Sequence, residues 1–113
     1  MKSTTSIGRS GEDEAIMFLI SNGFNIEVTN YRTGRSEIDI IASKEDLLVF
    51  VEVKKRKNND YGYPEDFLSK SQQSRILSAA ENYIFDQNWE GNIRFDIISI
   101  DQDGIHHLED AFY

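Results

Sequence analysis

Asp39, Glu52 and Lys54 are the side chains of this chain best suited to chemistry. Twelve residues separate Asp39 from Glu52-Val53-Lys54, which closes an apolar run. Two carboxylates and a lysine on neighbouring strands can hold a divalent metal and an attacking water beside a phosphodiester. Carboxylate oxygens suit hard Mg²⁺, with Mn²⁺ as the substitute, and Mg²⁺ accepts one or two protein carboxylates plus substrate phosphate. A bound metal acidifies its water and offsets charge on phosphoryl oxygens. Taken alone, Glu-x-Lys at a strand end also describes a strand emerging into water. Asp39 is harder to explain that way, because Ile38, Ile40 and Ile41 crowd it and a mid-strand Asp opposes strand propensity. A structural ion-pair network is the competing reading.

These residues need strands to carry them. Phe24, Ile26 and Val28 alternate with polar residues, the period of a half-buried strand. Asn30 to Ser36 reads as a polar link, followed by strands over Glu37–Ala42 and Leu47–Lys54 joined by the turn Ser43-Lys44-Glu45-Asp46. That loop sets Ala42 opposite Leu47. Because side chains alternate sides, Glu37 and Asp39 then share a face with Leu48, Phe50, Glu52 and Lys54. A loop one residue longer or shorter would send Glu52 and Lys54 to the other face. Glu37 has the parity to join the site but ranks behind Asp39.

Helices flank this meander. Gly8 to Asn22 forms the first, with Gly23 as its stop. Glu12 shares a face with Ala15, Ile16 and Leu19, so it points towards the core, where a carboxylate needs a cation or metal. Ser69 with Gln72 forms a capping box that opens a second helix reaching about Gln87, with Ile76, Ala80, Tyr83 and Ile84 as its apolar stripe. Ile93–Ile100 and Ile105–Leu108 are the last strands. The second helix serves as a crossover, bringing the fourth strand in parallel to the third. Asp96 reads as structural, pairing with Arg94 or capping a loop. His106 and His107 point to opposite faces and read as surface residues.

Composition bounds the rest. At 113 residues and 39% apolar content, residues 1–113 form one domain that hides about 65% of its unfolded surface. There is no cysteine, which excludes disulfides and thiolate chemistry. No signal peptide or membrane-length apolar run occurs, so a cytoplasmic location is expected. The net charge of −8 argues against generic nucleic-acid binding. Its distribution softens the objection: residues 1–57 hold nine Lys/Arg against nine Asp/Glu, whereas residues 58–113 hold three against eleven. Arg32, Arg35, Lys54, Lys55, Arg56 and Lys57 bracket the candidate site, and Lys70 opens the second helix. The run Lys54–Lys57 is either a solvated strand end or a backbone-contacting patch, and the adjacent carboxylates favour the latter. Tyr61-Gly62-Tyr63 packs on the sheet or stacks on a nucleotide.

In order along the chain run Gly8-x-x-Gly11-Glu12-x-x-Ala15, Asn30-Tyr31-Arg32, Glu37-Ile38-Asp39-Ile40-Ile41-Ala42 and Leu48-Val49-Phe50-Val51-Glu52-Val53-Lys54-x-Arg56. Gly62-x-Pro64, Lys70, Arg94-Phe95-Asp96 and Ala111-Phe112 follow. This series resembles the YraN-like bacterial family, endonuclease-like proteins distantly related to archaeal Holliday junction resolvases. The resemblance covers nearly the whole chain. It implies an α/β restriction-endonuclease-like core and the PD-(D/E)XK nuclease superfamily. By motif, Asp39 stands at the metal-binding aspartate, Glu52 and Lys54 at the Glu-x-Lys pair, and Glu12 at the first-helix glutamate of resolvase-type members. Ser36 replaces the usual glycine before Glu-Ile-Asp, and Lys55 stands where threonine is common.

The expected function is a Mg²⁺-dependent endonuclease acting on branched or structured DNA. Asp39, Glu52 and Glu12 would serve the metal, and Lys54 the water and the developing charge. Arg32, Arg35, Lys55, Arg56, Lys57 and Lys70 would contact phosphates, which position a substrate without reading bases. Resolving a junction would take a homodimer, since one site cuts one strand at a time. The runner-up is a non-catalytic nucleic-acid or protein-binding module that keeps the nuclease fold.

Overall fold

The computed structural model describes residues 10–56 and 68–113. Helix α1 (Ser10–Ser21) stops where the sequence predicts, at Gly23 with φ 91°. The Gly23 N–H donates to Ile20 O and the Phe24 N–H to Leu19 O, both at 3.0 Å. These paired bonds satisfy carbonyls that the last helical turn would otherwise leave open.

Strands β1 (Asn25–Thr33), β2 (Ser36–Lys44) and β3 (Leu47–Lys55) form the expected antiparallel meander, but with tighter turns. The polar link expected over Asn30–Ser36 is instead strand up to a two-residue turn, Gly34-Arg35. Thr33 pairs with Ser36 and Arg32 with Glu37. Gly34, with φ 61°, supplies the positive angle that two-residue hairpins need. Likewise the expected four-residue turn after Ala42 shrinks to Glu45-Asp46, and Ala42 faces Val49 rather than Leu47. A shift of two residues preserves which face each side chain takes. It also carries Asp39 from a place opposite Phe50 towards Glu52.

Ser69 caps α2 (Lys70–Gln87) with the reciprocal bonds read from the sequence: Gln72 N–H to Ser69 Oγ at 3.1 Å, and Ser69 N–H to Gln72 Oε1 at 3.0 Å. The helix crosses over to β4 (Asn92–Asp101), which pairs parallel to β3, and β5 (Gly104–Leu108) returns antiparallel. The sheet order is β1-β2-β3-β4-β5. Helix α1 buries Ala15 and Leu19 against Ile40, Val49, Val51 and Ile98. On the other face, α2 buries Ile76, Ala80 and Tyr83 against Ile41, Phe50 and Phe95. Each such side chain contributes about 1.5–3 kcal/mol by leaving water. Mixed α/β topology in the order helix, three strands, helix, two strands matches a restriction-endonuclease-like core. Among the described residues, no helix is long and apolar enough to cross a membrane.

Asp96 is structural, as read. Fully buried, it accepts from Arg94 Nε and Nη2 and from the Asp110 N–H, all at 2.9 Å, and from His107 Nε2 at 2.7 Å. His107 therefore departs from the expected surface position. The alternation holds, since His106 lies on the exposed side near Asp101. What differs is that α1 covers the other side of β5, with the Phe18 and Phe24 rings edge-on to His107 at 5.8 and 6.4 Å.

Candidate functional site

The site begins at an irregularity in β2. Ile38 and Ile41 both enter the core beneath α2, whereas Ile40 and Ala42 enter the core beneath α1. Strict alternation would have set Ile38 beside Ile40, so the strand is rotated around Asp39. On the neighbouring strand Asn30 takes a left-handed φ of 54°, a conformation asparagine tolerates better than branched residues do. The β2–β3 pairing extends to Ile40 and Val51; beyond it, the Val53 N–H donates to Asp39 Oδ2 at 2.8 Å. A side-chain carboxylate thus takes the place of a backbone carbonyl. This gives a polar residue a reason to sit within an apolar strand.

Glu52 lies against Asp39 in side-chain hydrogen-bond contact. Burial, then the Asp39 charge and the bond to it, push the Glu52 carboxyl up to about 9, with nearby Lys54 opposing the shift. Asp39 is also raised, by burial first, against the lowering effect of its bonds from Val53 and Glu52; Glu12 and Glu37 raise it further. Two carboxylates this close do not both ionise in a partly dry site, so the pair keeps one proton. Burial raises both carboxyls, so the proton belongs to the pair.

The remaining candidates approach from three sides. Glu12, half-buried on α1, adds its negative charge to Asp39. Glu37 pairs with the exposed Arg32 at 3.3 Å. Lys54 is half-buried one strand step from Glu52. Lys55 instead runs along α1, where its stem would stand 3.3 Å from a Cβ on Gly11. Arg56 continues the β3–β4 ladder, its N–H donating to Ile100 O at 2.7 Å. Arg35 is exposed in the β1–β2 turn, and Lys70 is exposed at the start of α2. Lys57 and Tyr61-Gly62-Tyr63 lie outside the described residues.

A cavity of about 240 Å³ opens beside Glu52, lined by Arg35, Glu37, Gln72, Arg75 and Ile76. Gln72 and Arg75 are absent from the residues that motif and charge pick out. Helical spacing held a signal for Gln72, which is four residues before Ile76 on the buried stripe, but its capping bond already accounted for it. Among the described residues, no three His, Cys, Asp or Glu side chains converge to hold a metal ion. The adjacent Asp39–Glu52 oxygens do fit an ion that needs one or two protein carboxylates and otherwise keeps water, as Mg²⁺ does.

The profile of the uncharacterised protein family UPF0102 matches residues 11–100. A UPF0102 protein of Cytophaga hutchinsonii is 44% identical over 93 residues, covering 82% of each chain. One from Dictyoglomus turgidum is 47% identical over 95 residues, covering 83% of this chain and 80% of its own. One from Parabacteroides distasonis is 40% identical over 117 aligned positions, covering 100% and 97%.

Proposed function

Since the chain belongs to the uncharacterised protein family UPF0102, the YraN-like family within the broader PD-(D/E)XK-related group, we propose that it is a nucleic-acid-binding module of nuclease fold that engages structured DNA through phosphates and shape. The observation that carries this reading is charge segregation. Arg32, Arg35, Lys54, Lys55 and Arg56 lie where β1 ends, β2 begins and β3 ends, the same end of the meander as Asp39 and Glu52. The acidic residues Glu45 and Asp46 occupy the opposite turn, next to Lys44, and β4 meets it at Asn92, two residues after Glu90. Although Glu37, Asp39 and Glu52 lie at that end too, its five cations give a chain of net charge −8 a place to meet phosphate, and clustered cations attract phosphate by releasing counterions. Binding of a labelled four-way junction, a flap and a linear duplex, followed by anisotropy across a salt series, tests it. The junction should bind tightest, and log K should fall linearly with log salt. An Arg32→Glu/Arg35→Glu variant should bind about tenfold more weakly. Affinity that ignores both salt and this charge reversal would falsify the reading.

The Asp39–Glu52 contact, with Lys54 beside it, favours a second reading: metal-dependent phosphodiester hydrolysis at the same place. A divalent cation there supplies a more acidic water and neutralises phosphate charge. Asp39 and Glu52 would hold it, with Glu12 adding a ligand directly or through water. Lys54 would lie alongside the phosphate and stabilise negative charge as it develops. Paired cutting of a junction would take two copies of the chain. Incubation of junction, flap, nicked and linear DNA with Mg²⁺ or Mn²⁺ separates this reading from binding alone. Hydrolysis predicts nicking that depends on metal and disappears in Glu52→Gln. Equal inertness of wild type and variant leaves binding as the function.

A further inference from the structure

We infer that the cavity between the β1–β2 turn and the first turns of α2 is a single-phosphate clamp, with Arg35 and Arg75 as its two arms and Gln72 as a neutral donor between them. The inference rests on the nucleic-acid reading for its natural ligand, and it assigns Arg75 and Gln72 a positioning role. Three observations carry it. First, two guanidinium-bearing residues from distant parts of the chain line one cavity of about 240 Å³, and like charges converge there without an intervening carboxylate bond. Second, the acids that share the cavity are engaged elsewhere: Glu37 with Arg32 at 3.3 Å, and Glu52 with Asp39. Third, neither Arg35 nor Arg75 makes an ion pair or hydrogen bond with any described residue. Arg94, by contrast, is bound twice by Asp96.

Such an arrangement leaves two guanidinium groups with donors to spare, beside acids held by other partners. Guanidinium groups present a rigid fork that matches a tetrahedral oxyanion, and two forks together fix its orientation as well as its charge. The Gln72 side chain can turn its amide donors to the same anion, although its oxygen also accepts from the Ser69 N–H. That bond ties the clamp to the capped start of α2. A phosphate held here lies next to Glu52, so the clamp would set where a DNA strand passes the carboxylate pair.

Two measurements on the full chain test the clamp. Inorganic phosphate is titrated at fixed ionic strength while the arginine Nε–Hε resonances are followed by NMR. The Arg35 and Arg75 signals should move together with one midpoint while the Arg94 signal stays in place. In Arg75→Ala the Arg35 response should weaken at least fivefold, and Arg75→Lys should fall between the two. Both Arg75 variants should melt like wild type, since the residue is exposed and unpaired. On junction DNA, Arg75→Ala should lower the salt slope by about 0.9, the loss of one phosphate contact. Phosphate that moves neither signal, or moves them with unrelated midpoints, overturns the clamp, as does an unchanged salt slope in a variant that binds DNA. If wild type binds phosphate in this way yet binds no DNA, the clamp stands as an anion site and the nucleic-acid reading fails.

Discussion

The Asp39–Glu52 pair makes stability depend on pH in an unusual direction. A carboxyl whose folded pKa is raised holds a proton that the unfolded chain has released. The unfolded state therefore binds fewer protons between the ordinary Glu value of 4.5 and the folded value of about 9. Across that window stability falls as pH rises. We expect Glu52→Gln to melt at the same temperature as wild type near pH 4.5 and at a clearly higher one near pH 8. Thermal melts at both values check this, and a constant difference between the proteins would refute the shared proton. On the hydrolytic reading, Mg²⁺ taking the place of the proton should raise the wild-type melting temperature at pH 8 and do little at pH 5.

Asp96 shows the opposite balance. Burial alone would raise it, but bonds from His107, Arg94 and the Asp110 N–H outweigh burial and hold it below the usual carboxylate range. Its contribution is present above the ordinary Asp value and is lost as pH falls through the depressed one. Asp96→Asn strands a half-buried guanidinium and His107, so it should cost about 3 kcal/mol or more by urea denaturation at neutral pH. The spacing of Arg94 and Asp96, two apart on one strand, made this pair legible in the sequence. The His107 contact was not, because it depends on α1 covering β5 from far away in the chain.

At the scale of elements, local patterning announced both helices. Gly23 and the Ser69–Gln72 box act within a few residues, so their physics is written in adjacent letters. Ser69→Ala removes one reciprocal bond, and we expect a loss of about 1 kcal/mol. Amide exchange should quicken at Gln72 and Gln73 and hold steady at Ala80. Faster exchange along the whole helix would mean that the cap holds more than its own turn. Turn lengths were less legible. Thr33, Ser36, Ser43 and Lys44 are polar enough for loops, yet cross-strand bonding recruits them into the ladders, Ser43 through its bond to Glu27 at 2.6 Å. Between β2 and β3 parity survived, because that turn shortened by one whole pair of residues. The rotation at Ile38–Asp39 escaped pattern reading altogether, since strict alternation would keep Ile38 on the face of Ile40. Period-two reasoning thus put Asp39 and Glu52 on one face, but it could not supply the bond from the Val53 N–H that holds Asp39 there.

At the scale of the whole molecule, the long-range parallel pairing of β3 with β4 must be set in register after an 18-residue helix has crossed the sheet. The structure fixes that register at the meander's far turn. The Asn92 N–H donates to Asp46 O at 2.8 Å, and Asn92 Nδ2 reaches Asp46 Oδ2 at 3.1 Å. Gly91 lets the two segments approach: a Cβ there would stand 2.5 Å from Asp46 O and 2.8 Å from the Trp89 ring. The obstructing atom is backbone, so relief requires β4 or the turn to shift. Gly91→Ala should therefore cost about 1–3 kcal/mol, lowering the melting temperature by roughly 5–15 °C for a chain of this size. Gly34, with nothing within 4 Å of its would-be Cβ, provides the contrast. Gly34→Ala meets only the strain of a positive φ, about 1–2 kcal/mol. Because Gly91 is at the opposite end of the meander from the cationic cluster, folded Gly91→Ala should keep its phosphate response. A variant that melts early and also loses that response would mean that the two ends are coupled through β3 and β4, the strands that join the turn to Glu52.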